Sequence, residues 1–197
     1  MGKLILFIGG ARSGKSTFAE ALAAKLSRDV TYIATAQALD DEMADRIRVH
    51  RSARPAAWPT LEIPLNLGPT LLNQPPASPV VLLDCITLLV SNTLLATACS
   101  SENPPQEPIL TAVQSEIRSL LEAISASAAT WLLVTNEVGS GVVPAYPLGR
   151  AYRDGLGWAN QRIASVADEI YYLVAGRALP LHKLGKDLEE FLSNTGS

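Results

Sequence analysis

The sequence predicts an α/β fold in which a mostly parallel sheet is covered by helices on both faces. Short apolar blocks alternate along the chain with segments of helical periodicity, and each block is continuously apolar rather than alternately polar and apolar. A parallel sheet that is buried on both faces requires strands of this kind. Repeated strand and helix units assemble into layered α/β domains.

The predicted strands are the apolar blocks at 4–8, 30–34, 80–84, 131–135 and 169–174. The predicted helices cover residues 15–26, 41–51, 87–98, 108–124 and 155–167. In the fourth helix, Ile109, Val113 and Ile117 recur at a spacing of four, which places them on one stripe facing a core. Two segments with several prolines, 66–79 and 100–108, interrupt the pattern, and we expect surface loops there.

Composition limits the number of domains and the class of partner. A chain of 197 residues with 48% hydrophobic content supports one full core, so we expect a single domain over 1–197 with a short C-terminal extension at 185–197. The net charge of −3 gives no global attraction for nucleic acid. The apolar N-terminal stretch is too short for a secretory signal, so we expect a cytoplasmic protein. Asp84 and Asn92 argue against a membrane span at 80–98.

The most informative motif follows the first predicted strand. Residues 9–16 read Gly-Gly-Ala-Arg-Ser-Gly-Lys-Ser and fit G-x-x-x-x-G-K-[ST], the P-loop that holds nucleoside triphosphates. The glycines let backbone N–H groups turn toward phosphate oxygens, and the following helix adds the positive end of its dipole. A glycine turn that matches by chance is the alternative, and the strand and helix on either side disfavour it.

The motif therefore refines the fold prediction to a P-loop NTPase-type three-layer fold. In this interpretation Lys15 reaches the β- and γ-phosphates and the Ser16 hydroxyl ligates Mg²⁺. The nucleotide-binding residues expected from the loop are Gly9, Gly10, Ala11, Arg12, Ser13, Gly14, Lys15, Ser16 and Thr17.

Asp84 closes the third apolar block. A carboxylate at the carboxyl end of a buried strand is how P-loop proteins hold the Mg²⁺ shell, in part through water. A helix N-cap or a satisfied polar group at the strand end is the structural alternative. We expect Ser16 and Asp84 to be the Mg²⁺ residues.

His50 lies in a charged segment in which Arg46, His50 and Arg54 are spaced by four. One helix would present all three residues on a single face until Pro55 ends it. If the arginines bind phosphate, the imidazole is suited to attack phosphorus. A surface histidine on a charged helix is the ordinary alternative, and spacing alone does not decide between them.

The fourth predicted strand runs into Thr-Asn-Glu-Val-Gly-Ser-Gly-Val-Val-Pro at 135–144. Ligands of open α/β sheets bind at the carboxyl edge, so this loop is a candidate lid over a second substrate. A plain connection between strand and helix is the alternative.

Taken together, the chain resembles the bifunctional adenosylcobinamide kinase/adenosylcobinamide-phosphate guanylyltransferase family of cobalamin biosynthesis over nearly its whole length. The motifs that carry the resemblance, besides the P-loop and His50, are Tyr-Ile-Ala-Thr-Ala at 32–36, Asp-Asp-Glu-Met at 40–43, Arg54-Pro55 with Trp58, Leu-Asp-Cys-Ile-Thr at 83–87, Thr-Asn-Glu-Val-Gly at 135–139, Arg153-Asp154 and Asn160-Gln161-Arg162.

The resemblance implies two activities. Adenosylcobinamide is phosphorylated with ATP or GTP, and GMP is then transferred from GTP to adenosylcobinamide phosphate through a guanylylated His50, giving adenosylcobinamide-GDP. It implies catalytic roles for His50 and Lys15, and a homotrimer. The positions that match the guanine-nucleotide site of the family are Ala34, Thr35, Ala36, Arg51, Ser52, Ala53, Arg54, Glu62 and Asp84.

The chain departs from the family pattern at Asp84, where relatives often carry glutamate. The shorter carboxylate leaves room for a water between itself and Mg²⁺. Val49 precedes His50, so no neighbouring histidine can replace it.

Two other functions are compatible with a P-loop. One is a small-molecule kinase without the histidine step. The other is a guanine-nucleotide-dependent regulatory protein or motor, against which the chain has neither an Asn/Thr-Lys-x-Asp motif nor a basic stripe for nucleic acid.

Overall fold

The computed structural model of the protein describes residues 2–38, 40–98 and 105–185, with the backbone alone at residues 42, 46, 50, 52 and 53. In these residues seven strands form one sheet: β1 Leu4–Gly9, β2 Val30–Ala34, β3 Thr60–Glu62, β4 Val80–Asp84, β5 Thr130–Asn136, β6 Glu169–Val174 and β7 Arg177–Pro180. The helices are α1 Lys15–Leu26, α2 Asp41–Ala53, α3 Leu67–Asn73, α4 Ile86–Ala98, α5 Gln106–Ser125, α6 Pro147–Ala164 and α7 Leu181–Leu184.

The order of strands in the sheet is β3-β2-β4-β5-β1-β6-β7. Neighbouring strands run parallel, except that β7 returns antiparallel to β6. All the carboxyl ends of the parallel strands therefore meet at one edge. Because β5 lies between β1 and β4, the segment after β5 emerges between the P-loop and Asp84.

A hydrophobic core lies on each face of the sheet. On one face, Leu6, Leu83 and Leu133 pack with apolar side chains of α3, α4, α5 and α6. On the other, Phe7 and Leu82 pack with side chains of α1. Because consecutive strand residues point to opposite faces, a strand buried on both sides has to be apolar throughout. This arrangement confirms the predicted α/β fold with helices on both faces.

The prediction of a surface loop at 66–79 is wrong in part, because this segment contains α3. Leu67 is fully buried and Leu71 is 3% exposed, and both belong to the core on the helical side. The two leucines are four residues apart, as one buried helix face requires. The helix is only seven residues long and carries Pro69 in its first turn, so composition favours a loop.

Other boundaries also differ from the prediction. Helix α6 begins at Pro147 rather than at residue 155. The glycines in its first half lower the helix propensity, so the sequence does not indicate a helix there. Helix α5 begins at Gln106, so Pro108 lies in its first turn and not in a loop, while residues 100–104 lie outside the described part. The short elements β3, β7 and α7 have no pattern that predicts them, and the extension from residue 186 onward is also outside the described residues.

The contact between α3 and α5 depends on Gly68. A Cβ placed on Gly68 would overlap the backbone carbonyl of Ser119 in α5. We expect Gly68→Ala to lower the free energy of unfolding by about 2 kcal/mol, because one of the two helices has to shift. Urea unfolding measures the change.

Gly157→Ala is the matched control for this substitution. A Cβ on Gly157, in the interior of α6, meets no atom within 4 Å. This variant should therefore gain about 0.5–1 kcal/mol from helix propensity. Equal effects of the two substitutions would show that the close approach at Gly68 is unimportant.

Candidate active site

The P-loop connects β1 to α1 at the carboxyl edge of the sheet. Arg12 and Gly14 both have positive φ, 57° and 97°, and Gly14 is the N-cap of α1. The turn is closed by a hydrogen bond from the Ser13 N–H to the Gly10 carbonyl at 3.3 Å. A second support comes from the turn between β6 and β7, where the Gly176 N–H donates to the Ser13 carbonyl at 3.0 Å. The backbone of Ser13 is thus fixed by a hydrogen bond on each side, one within the loop and one to the hairpin.

Lys15 lies in the concavity of this loop. Lys15 is only 7% exposed, and its Nζ donates to the Gly10 carbonyl at 2.6 Å. Burial lowers the pKa of Lys15, and the neighbouring Cys85 thiol and Asp84 carboxylate act in the opposite direction. Within residues 2–38, 40–98 and 105–185 no carboxylate forms an ion pair with this buried ammonium group, so an anionic ligand in the loop is favoured.

Ser13 gives independent support for an anion in the loop. Its side chain is 7% exposed, and its Oγ has no hydrogen-bond partner among the described residues. A buried hydroxyl without a partner costs free energy. A phosphate oxygen in the loop would supply the missing acceptor.

Asp84 ends β4, and its register partner on β2 is Ala34. Its charge acts on Lys15, so the two predicted phosphate and Mg²⁺ residues are close enough to interact. No cluster of three or more His, Cys, Asp or Glu side chains that would hold a metal occurs in the described residues. Ser16, in the first turn of α1, and Asp84 offer the oxygen ligands that Mg²⁺ prefers. An ion there would complete its shell with phosphate oxygens and water.

Thr35 follows β2 and is fully buried. Its hydroxyl donates to the Cys85 carbonyl at 2.7 Å and accepts from the Cys85 N–H at 3.0 Å. The Thr35 carbonyl accepts from Asn92 Nδ2 at 2.8 Å. The side chain of Thr35 therefore fixes the turn after Asp84, while Ala34 and Ala36 on either side of it are half-buried.

The polar residues continue from Asp84 toward the end of α2. Burial and the charge of Asp84 raise the pKa of Tyr32, and the charge of Arg54 acts in the opposite direction. The Arg54 guanidinium carbon lies 3.5 Å from the centre of the Tyr32 ring. This cation–π contact ties the C-cap of α2 to the sheet beside Asp84.

A cavity of about 530 Å³ opens next to this contact, lined by Arg51, Arg54, Pro55, Ala56, Trp58, Pro59 and Thr60. Glu62, at the end of β3, lies 3.9 Å from Arg51. The structure thus brings three of the nucleotide residues implied by the resemblance, Arg51, Arg54 and Glu62, to one region. The volume lies in the range of small-molecule sites, and Arg51 and Arg54 contribute positive charge to the lining.

Helix α2 begins at the N-cap Asp40, whose carboxylate accepts from the Met43 N–H at 2.7 Å, and ends before Pro55. It therefore includes residues 46 and 50 in one helix, as their spacing predicts. The side chains of residues 46, 50, 52 and 53 lie outside the described part. Their role at the site stays a prediction.

The segment after β5 begins at the P-loop, because the Glu137 N–H donates to the Gly9 carbonyl at 3.0 Å. Burial acts to raise the pKa of Glu137, but hydrogen bonds from Ser140 and Gly139 outweigh it and lower the pKa. Arg153 of α6 donates to the Gly139 carbonyl at 3.0 Å. Hydrogen bonds within the loop and from α6 therefore hold its backbone, and the Glu137 carboxylate forms the internal ones. Whether it covers a second substrate stays a prediction.

Sequence reasoning does not identify the supports behind this edge. The Asn160 carboxamide of α6 accepts from the Thr135 hydroxyl at 2.7 Å and donates to the Asn136 carbonyl at 2.9 Å. The Thr87 hydroxyl of α4 accepts from the Asn136 N–H at 2.7 Å. In the sequence, Thr87 and Asn160 belong to motifs of the resemblance, but neither motif indicates that these side chains support the end of β5.

No helix in the described ranges is long and apolar enough to cross a membrane.

The comparisons with known proteins agree on one family. The family model described as "Cobinamide kinase / cobinamide phosphate guanyltransferase" matches residues 5–181. The bifunctional adenosylcobalamin biosynthesis protein CobP of Pseudomonas aeruginosa is 45% identical over 176 residues, covering 89% of this chain and 95% of the relative. Its counterpart CobU of Salmonella typhimurium is 44% identical over 177 residues, covering 88% and 96%.

Solved structures similar to this one share its fold at low sequence identity. The flagellar accessory protein FlaH of Methanocaldococcus jannaschii aligns with a TM-score of 0.50 and 14% identity, covering 90% of this chain and 75% of the other. A type III secretion ATPase from pathogenic bacteria aligns with a TM-score of 0.55 and 11% identity, covering 99% and 63%. These similarities confirm the P-loop NTPase-type fold.

Proposed function

Because the chain belongs to the cobinamide kinase/cobinamide phosphate guanyltransferase family, we propose that it catalyses two successive reactions of cobalamin biosynthesis. Adenosylcobinamide is first phosphorylated with ATP or GTP. GMP is then transferred from GTP to adenosylcobinamide phosphate, which gives adenosylcobinamide-GDP. The observation that carries the proposal is the family match over residues 5–181, which spans the P-loop, α2 and the segment after β5.

In the kinase step, the acceptor hydroxyl oxygen bonds to the γ-phosphorus. The bond from that phosphorus to the β,γ-bridging oxygen breaks, the nucleoside diphosphate leaves with the electron pair, and the hydroxyl proton passes to solvent. Lys15 and the N–H groups of the P-loop stabilise charge on the phosphates. The buried ammonium group of Lys15 and the unpartnered Ser13 hydroxyl support this assignment.

In the guanylyl step, a His50 ring nitrogen bonds to the α-phosphorus of GTP. The bond to the α,β-bridging oxygen breaks, pyrophosphate leaves with the electron pair, and the ring proton is lost. A phosphate oxygen of adenosylcobinamide phosphate then attacks the same phosphorus, the electron pair of the P–N bond returns to the ring, and the ring takes up a proton from solvent to restore the neutral imidazole. The contact of Arg54 with Tyr32 beside Asp84 supports the presence of α2 near the phosphates.

Ser16 and Asp84 are the proposed Mg²⁺ residues, with Asp84 acting in part through water. When bound, Mg²⁺ neutralises charge on the phosphate oxygens. The nucleotide is held by residues 9–17, by Ala34, Thr35 and Ala36, by residues 51–54, and by Glu62. The assembly proposed from the resemblance is a homotrimer in the cytoplasm, which light scattering and cell fractionation test.

The decisive experiment supplies the protein with adenosylcobinamide, ATP, GTP and Mg²⁺ and separates the corrinoids by chromatography with mass detection. We expect adenosylcobinamide phosphate first and adenosylcobinamide-GDP second. With GTP labelled at the α-phosphate and no corrinoid, the protein should retain label in an acid-labile, alkali-stable form.

The alternatives give different results in the same assay. Phosphorylated corrinoid without GDP-linked product or labelled protein would indicate a kinase without the histidine step. Triphosphate hydrolysis that a protein or DNA stimulates, with no corrinoid product, would indicate a regulatory protein or motor.

A further inference from the structure

The position of Asn136 is set by the order of strands. β5 lies between β1 and β4, and its last residue, Asn136, pairs with Gly9 of β1. Asp84 ends β4 two positions earlier, opposite Val134. Because side chains alternate along a strand, Asn136 points to the same face as Leu132 and Val134, which pack on the α1 side. Its carboxamide therefore emerges between the P-loop and Asp84.

The backbone of Asn136 is fixed by two buried side chains. Thr87 accepts from its N–H at 2.7 Å and Asn160 donates to its carbonyl at 2.9 Å. Thr87 and Asn160 are 6% and 8% exposed. Buried polar groups are costly unless they are paired, and both of these side chains pair with the backbone of Asn136, while Asn160 also accepts from the Thr135 hydroxyl. The next N–H, of Glu137, is fixed on Gly9.

The backbone of Asn136 is hydrogen-bonded, whereas its side chain forms no hydrogen bond with any of the described residues. In residues 2–38, 40–98 and 105–185 no hydrogen bond reaches its carboxamide, which is partly exposed. The neighbouring Glu137 carboxylate is occupied by Gly139 and Ser140. A neutral donor on a fixed backbone is thus available at the end of β5, beside Gly9 of β1 and next to the strand that ends in Asp84.

We propose that Asn136 is a catalytic residue of the kinase step, in which its Nδ2 donates to an oxygen of the transferred γ-phosphoryl group. This inference rests on the proposed function. As the acceptor oxygen bonds to the γ-phosphorus and the bond to the β,γ-bridging oxygen breaks, the equatorial oxygens carry the charge that a fixed donor stabilises. In guanylyl transfer the γ-phosphate only leaves as part of pyrophosphate, so the same contact contributes little to the chemical step.

The test compares the two activities of one variant. At saturating nucleotide, Asn136→Ala should lower kcat of adenosylcobinamide phosphorylation about 100-fold, the usual cost of removing one fixed donor. Transfer of GMP to supplied adenosylcobinamide phosphate should change less than about 3-fold. Asn136→Asp keeps the shape but replaces the donor with a negative charge, so it should be slower than Asn136→Ala in the kinase reaction. Val166→Ala, at a 46% exposed position between α6 and β6, on the opposite edge of the sheet, is the control.

Equal losses in both reactions, or an unchanged kinase rate, would overturn the assignment. A wild-type protein that makes neither corrinoid product would refute the proposed function instead. In that case the ratio of GDP and GTP dissociation constants still tests Asn136. A wild-type preference for the triphosphate that falls about 10-fold in Asn136→Ala supports the contact with the γ-phosphate, and an unchanged preference refutes it.

Discussion

We expect the His50→Asn protein to retain no GMP from α-labelled GTP, because asparagine has no nucleophilic nitrogen. Its rate of guanylyl transfer should fall by at least about 10³-fold. Phosphorylation of adenosylcobinamide should change less than about 3-fold, since the γ-phosphoryl group passes directly to the hydroxyl. The measurements are the label that stays on the protein after precipitation without acid, since the adduct is acid-labile, and the rate of each reaction.

Arg48→Ala is the matched control on the same helix. The Arg48 side chain is 74% exposed and pairs with Asp45 at 3.2 Å. Both reactions should continue in this variant, because an exposed pair of this kind contributes little. Undiminished labelling of His50→Asn would place the nucleophile elsewhere, and loss of labelling in Arg48→Ala would indicate damage to α2 as a whole.

Replacement of Lys15 by alanine has an equally large expected effect, but on both reactions. Each begins with a triphosphate in the P-loop, so kcat/KM for phosphorylation and for guanylyl transfer should both fall about 10³-fold. Lys25→Ala, which removes an exposed ammonium group from the last turn of the same helix, should leave both rates near the wild-type values.

The stability of Lys15→Ala separates function from folding. Burial lowers the pKa of Lys15, so the charged side chain costs free energy in the folded protein. The Gly10 carbonyl keeps its hydrogen bond from Ser13 in the variant. The free energy of unfolding without nucleotide should therefore be unchanged or higher. A loss of several kcal/mol would mean that Lys15 holds the loop together rather than serving the ligand.

The sheet could be predicted from the sequence because burial on both faces leaves a strong local mark. The strands Val30–Ala34, Val80–Asp84 and Glu169–Val174 and the helix Lys15–Leu26 are reproduced to the residue. Helix α3 could not be predicted, since its burial depends on α5, which is some 40 residues away in sequence and packs against Gly68.

In the candidate site, too, some residues could be predicted from the sequence and others could not. The P-loop is a contiguous motif, and Asp84 stands at a recognisable strand end, so both follow from the sequence. The contact of Tyr32 with Arg54 and the support of Asn136 by Thr87 and Asn160 join residues from separate elements. Each of these residues lies in a motif of the resemblance, but no motif indicates which of them contact each other. The role of His50 stays a prediction from spacing and resemblance.

The hydrogen bond from the Gly176 N–H to the Ser13 carbonyl joins the antiparallel edge of the sheet to the P-loop and holds the loop in place. Gly176 sits in a tight turn with φ of 72°, so this support depends on the hairpin of β6 and β7 closing correctly. A protein shortened from the C-terminal side to end before Arg177 would lose this hairpin and bind triphosphate more weakly at a loop more than 160 residues earlier in the sequence. Shortened versions intended for binding studies therefore have to keep β7.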